Sequence, residues 1–135
     1  MILVTPELRD RLRANHRARC EALRRGEPAP DPMPMVRFFS PLGPATWLAT
    51  ELDEDGILFG LADLGFGCPE LGSFALEELE SIQLPFGLGI ERDIHFEGEF
   101  PLSVYAEAAS RAGSLVEGER ILRRGSMPGA STLSP

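Results

Sequence analysis

The side chains best equipped for chemistry cluster late in the chain. Along Ile90-Glu91-Arg92-Asp93-Ile94-His95-Phe96, apolar and polar residues alternate, so an extended backbone sets Glu91, Asp93 and His95 on one face. Carboxylates and an imidazole that converge can bind a divalent cation or move protons. Asp63 and Glu70 are the carboxylates that folding could add to them. Asp63, Glu70, Asp93 and His95 are therefore the candidate catalytic residues, and their standing depends on convergence. The same alternation arises wherever a strand has one face in water, which asks no chemistry of any of them.

Other chemistries fare worse. The loop Gly65-Phe66-Gly67-Cys68-Pro69-Glu70-Leu71-Gly72 is rich enough in glycine to cradle an anion. However, no helix pattern follows it at once, and Asp63 and Glu70 repel phosphate, so it reads as a structural loop. The same acids oppose a Cys68 thiolate acting with His95. Cys20, Cys68, His16 and His95 lack the paired spacing of a zinc site, so no metal ligand is assigned. The serine-hydrolase elbow is absent. All thirteen basic residues are arginine, which removes phosphate-loop and Schiff-base chemistry, both of which need a lysine. No cofactor is implied. Two features point outward instead. Arg9, Arg13 and Arg17, at i, i+4 and i+8, line one face of a helix that runs past them and can meet phosphates or a partner, or pack on the domain's own acids. Trp47 can anchor a partner, although a lone tryptophan is more often core.

The elements that must hold these residues follow from pattern. Thr5-Pro6-Glu7 is a helix start: hydroxyl cap, proline at the first position, acid near the positive end. Asn15-His16 is read as a break, with a second helical stretch after it, because asparagine tolerates positive φ. Four prolines between residues 27 and 34 make an extended connector. Residues 35–40, 46–52 and 57–64 are strands joined by short turns, one of them Asp53-Glu54-Asp55-Gly56, in an antiparallel meander. Residues 71–75 add a fourth strand, 76–82 a short acidic helix, 90–96 another strand, and Pro101 opens a C-terminal helix. The expected fold is α+β: a meander of three to five strands with an N-terminal, a short middle and a C-terminal helix. One domain is assigned to residues 1–112 and a flexible tail to 113–135, with a helical scrap between Ser114 and Arg124 and disorder from Ser126.

Several of these segments resemble a known family. They are Thr5-Pro6-Glu7-Leu8-Arg9, the run from Ala45 to Asp53, the run from Phe59 to Gly72, Glu91-Arg92-Asp93-Ile94-His95-Phe96, and Pro101-Leu102-Ser103-Val104-Tyr105-Ala106. Together they are similar to an uncharacterised domain-of-unknown-function family of small bacterial proteins. Its members are typically encoded on conjugative plasmids and other mobile elements, often near anti-restriction and partition-type genes. The likeness covers residues 1 to about 110. Members commonly carry glycine where His16 stands, which favours the break after Asn15. The resemblance implies a setting and transfers no activity.

Charge supplies the functional expectation. The net charge is −8 over 135 residues. Residues 1–26 hold seven arginines against three acids, and the rest holds six arginines against eighteen acids. A basic leading segment thus precedes an acidic body. Such a body repels nucleic acid and attracts basic proteins. No apolar run is long enough for a bilayer, and the apolar start from Met1 to Val4 meets Glu7 and Asp10 too soon for a secretory signal. A cytoplasmic location with Cys20 and Cys68 as free thiols is expected. The leading expectation is a non-enzymatic acidic protein that engages a basic protein partner. The alternatives are a small metal-dependent enzyme using the carboxylate and histidine cluster, and weak nucleic-acid binding through the arginine-rich helix. Oligomeric state is left open.

Overall fold

A five-stranded antiparallel sheet, ordered β4-β3-β2-β1-β5, carries helices on both faces of the computed structural model, which describes residues 2–126. The strands are β1 Val36–Phe39, β2 Thr46–Leu52, β3 Ile57–Asp63, β4 Glu70–Ala75 and β5 Glu91–Arg92. The helices are α1 Pro6–Arg24, α2 Leu76–Ser81, α3 Leu102–Ala112 and α4 Leu115–Ser126. The expected α+β meander is the observed one, with β4 on one edge and β5 returning beside β1 on the other.

Alternation along the strands explains the layering. Phe38, Trp47, Ala62 and Glu70 fall opposite one another across neighbouring strands and share a face. That face packs with Leu8 and Leu12 of α1, Leu76 and Leu79 of α2, and the buried Leu3 and Val4. Leu48 and Leu61 belong to the opposite face, which packs on Leu102, Tyr105 and Ala109 of α3 and Leu115 of α4. At Gly60 the sheet needs a glycine, because a Cβ there would sit 1.8 Å from the Leu48 carbonyl oxygen. Gly56 (φ +80°) closes the β2–β3 turn in the left-handed conformation expected of it.

Three expectations are corrected. The first helix does not break at Asn15-His16. Thr5 caps it by accepting from the Leu8 N–H, and it runs unbroken to Arg24. Asn15 and His16 reach the sheet instead: Asn15 Nδ2 donates to the Thr50 carbonyl and His16 Nδ1 lies 3.3 Å from Glu51 Oε1. The strand expected over residues 90–96 ends at Arg92. The Asp93 side chain accepts from the His95 N–H, a local turn that competes with the ladder and leaves Ile94 in solvent. The segment expected as a flexible tail from residue 113 opens with a helix. Residues 115–126 are a helix, and Leu115 is fully buried against α3. Residues 127–135, on which much of the expected disorder falls, lie outside the described residues.

Candidate functional site

The proposed catalytic residues are spread over three places in the fold. Asp63, at the end of β3, is buried, and both its oxygens accept backbone hydrogens: Oδ1 from Gly65 at 2.8 Å and Oδ2 from Leu115 at 2.9 Å. Its charge therefore sits at the positive end of α4 and holds that helix on the sheet, a capping arrangement across 52 residues of chain. Glu70 opens β4 and is exposed. Asp93 and His95 follow β5. Since β4 and β5 are the two edges of the sheet, four strand spacings of about 4.8 Å separate Glu70 from Asp93, on the order of 19 Å. The four residues do not converge. Among the described residues, no group of three or more histidines, cysteines, aspartates or glutamates could hold a metal ion.

Asp93 and His95 do share a cleft of about 380 Å³ with Arg37, Tyr105 and Glu119. Its core is an ion pair that sequence reading missed. Arg37 Nε donates to Glu119 Oε2 at 2.9 Å and Arg37 Nη2 to Oε1 at 3.0 Å, with Asp93 Oδ2 3.8 Å from Arg37 Nη1. A fork-to-fork pair of this kind is well matched in shape, and it joins β1 to α4. The signal was in the sequence: Leu115, Glu119 and Leu122 recur at i, i+4 and i+7, so an acid sits on an otherwise apolar stripe. Tyr105, in the same cleft, accepts from the Glu99 N–H at 3.2 Å, and burial pushes its phenol pKa above the usual value of 10.0.

A second buried acid ties α1 to the sheet. Glu51, 4% exposed, accepts from Arg19 Nε at 2.8 and 3.0 Å. That hydrogen bond raises the Arg19 pKa still further above its ordinary value. The β2–β3 register shifts between Ala49 and Glu51, where the strand meets these α1 side chains.

The outward-pointing candidates divide. Trp47 is 5% exposed and belongs to the core between the sheet and α1 and α2, so it is not a free-standing surface anchor. Arg9, Arg13 and Arg17 do share a helix face, since α1 is unbroken, but only Arg17 is exposed. Arg9 and Arg13 are half-buried, and the Arg13 Nε is buried without a hydrogen-bond partner. Cys20 and Cys68 are free and exposed.

The acids gather at one end of the sheet. The Leu76 N–H donates to the Gly56 carbonyl at 3.0 Å, which sets the β2–β3 turn, with Asp53, Glu54 and Asp55, beside α2, with Glu77, Glu78 and Glu80. Glu54 opens onto a cleft that also contains Arg17 and Arg24. Asp55, Glu77, Glu78 and Glu80 are exposed and make no ion pair among the described residues. Four of the body's six arginines are engaged elsewhere: Arg37 by Glu119 and Asp93, Arg92 by the Ile2 and Leu3 carbonyls, Arg111 by Glu107, and Arg120 by Glu117. Among the described residues, no helix is long and apolar enough to cross a membrane.

A family model described as a protein of unknown function, DUF2958, matches residues 3–116. No curated protein and no solved structure matches the chain.

Proposed function

The chain belongs to the DUF2958 family, whose function is unknown, and from that premise we propose that it is a non-enzymatic interaction protein whose acidic end engages a basic protein. The observation that carries this reading is the exposed set Asp55, Glu77, Glu78 and Glu80, which makes no ion pair among the described residues. Had the protein's arginines covered them, no field would remain to attract a partner. Carboxylates so placed favour arginine- and lysine-rich surfaces, including those built to hold nucleic-acid phosphates, and they speed encounter at low salt. A DNA-binding or defence protein in the cytoplasm fits that description. The setting on a mobile element rests on the sequence resemblance alone.

The test uses a poly-arginine peptide and the full chain. Neutralising Asp55, Glu77, Glu78 and Glu80 to their amides should weaken binding about tenfold at low ionic strength, a change of ~1.4 kcal/mol. Neutralising Glu7, Asp10, Glu27 and Glu107 removes as much charge from other places and should cost far less. Equal losses in the two variants would mean net charge alone acts, and the acidic end would lose its role.

A further inference from the structure

The two edges of the sheet are treated differently. On one side, β5 pairs only two residues with β1 before the Asp93 turn ends it. A strand this short offers nothing to extend. On the other side β4 runs for six residues with no proline inside it and, among the described residues, no strand beyond it. The register of β3 with β4 shows which backbone groups are free. Leu76 bonds to Gly56, so by the alternation of an antiparallel ladder the bonded pairs are Leu58 with Phe74, Gly60 with Gly72 and Ala62 with Glu70. Leu71 and Ser73 therefore turn their N–H and C=O groups outward, and both residues are exposed.

A cleft of about 460 Å³ lies along this edge. Trp47 and Phe74 line it together with Leu79 and Ile82, and Glu70 and Glu78 stand among the same residues. Gly72 leaves it open. A Cβ at Gly72 would meet nothing within 4 Å, and its φ lies outside the left-handed region, so neither packing nor backbone shape within this chain demands glycine there.

We propose that β4 accepts an extended segment of a basic partner as a sixth strand, with backbone pairing to Leu71 and Ser73, apolar side chains in the cleft beside Gly72, and arginine or lysine against Glu70 and Glu78. This is strand addition, in which main-chain bonds supply affinity and alternate side chains supply specificity. The charge of the edge selects the occupant. A second copy of this chain pairing antiparallel with Ser73 opposite Ser73 would set Glu70 of each copy opposite Leu76 of the other, next to Glu77 at the start of the acidic helix α2. The inference rests on the acidic-interaction reading and adds the place and the binding mode.

Two synthetic peptides repeating valine-threonine-arginine-threonine, which set valine and arginine in turn on one face of a strand, separate the two levels, one unmodified and one N-methylated at every internal residue. Both carry the same charge, and only the first can pair with a strand. The full chain should bind the unmodified peptide about tenfold more tightly than the methylated one. Ser73→Pro, which removes an outward donor, and Gly72→Val, which fills the cleft, should each abolish that preference, with thermal unfolding showing that both variants fold. Equal, salt-sensitive binding of the two peptides would overturn strand addition and leave the acidic-interaction reading standing. Binding of neither would overturn both. A dimer in sedimentation that Ser73→Pro dissociates would assign the edge to a second copy and overturn the basic-partner proposal.

Discussion

At the scale of the residue, Asp63, which looked reactive in the sequence, turns out to be a fastening, as do two acids that the sequence did not single out. Asp63 accepts two backbone hydrogens, Glu51 holds Arg19, and Glu119 holds Arg37. Spacing could not reveal this, because Arg19, Arg37 and Leu115 lie 32, 82 and 52 residues from the acids they meet, and the alternation around Asp93 is equally that of a wet strand face. Tyr105 offers a direct check on these surroundings. It is the one tyrosine in the chain, so tyrosinate absorbance reports it alone. Burial disfavours the phenolate, so the folded pKa lies above the unfolded one. The folded state then holds the proton more tightly. The associated stability is fully present below about pH 10, the unfolded value, and is lost as pH rises through the folded value. The absorbance midpoint should lie above that of the urea-unfolded chain. A coincident midpoint would refute the burial. Gly60 makes a second, steric prediction. Gly60→Ala forces a methyl group into the Leu48 carbonyl, and overlap with backbone cannot be relieved by a rotamer change. A loss of about 3 kcal/mol is expected in urea unfolding, the upper end of ordinary overpacking costs. A loss below ~1 kcal/mol would show that β2 and β3 are less closely apposed.

At the scale of the element, legibility followed local signal. The β1–β2–β3 meander, the α2 helix and the start of α3 were readable because turn residues and alternation act within a few positions. The continuity of α1 was not readable. Asn15 is as good a helix terminator as it is a donor to Thr50, and only the sheet decides between the two roles. Nor was α4 fully readable. Gly118 and Gly125 lower its propensity, and the residue that holds its first turn, Asp63, comes from β3. The glycine is instead a packing requirement, since a Cβ at Gly118 would lie 2.6 Å from the Ala109 nitrogen of α3. The prediction at this scale is that α4 is part of the domain. Glu119→Ala leaves the Arg37 guanidinium, 16% exposed, with only the distant Asp93 carboxylate. Breaking a buried pair in this way costs about 3–5 kcal/mol. Ending the chain at residue 113 should cost at least as much, because Leu115 is lost too. A truncated chain with unchanged thermal stability would return α4 to the status of a tail.

At the scale of the whole molecule, one sheet serves two cores. Trp47 lies in the core beneath α1 and α2, and Tyr105 lies in the one beneath α3 and α4. The sheet between them is shared strand by strand: Trp47 and Leu48 are neighbours on β2 that face opposite ways, and Leu61 and Ala62 do the same on β3. Neither core can be opened without exposing the backs of strands that form the other. The molecule should therefore unfold in one step, despite the charge imbalance between its leading helix and its body. Its two unique chromophores make this measurable, since the chain has one tryptophan and one tyrosine, one in each core. Urea transitions followed by Trp47 fluorescence and by Tyr105 near-ultraviolet absorbance should superimpose in midpoint and slope. Separate midpoints would mean that the α3–α4 layer detaches while the α1–α2 layer stays folded. The β4 edge would then border a sheet that remains intact only on its tryptophan side. Because the proposed partner strand lies beside Trp47 and α2, a bound valine-threonine-arginine-threonine peptide should raise both transitions together in the one-step case and the Trp47 transition alone in the other.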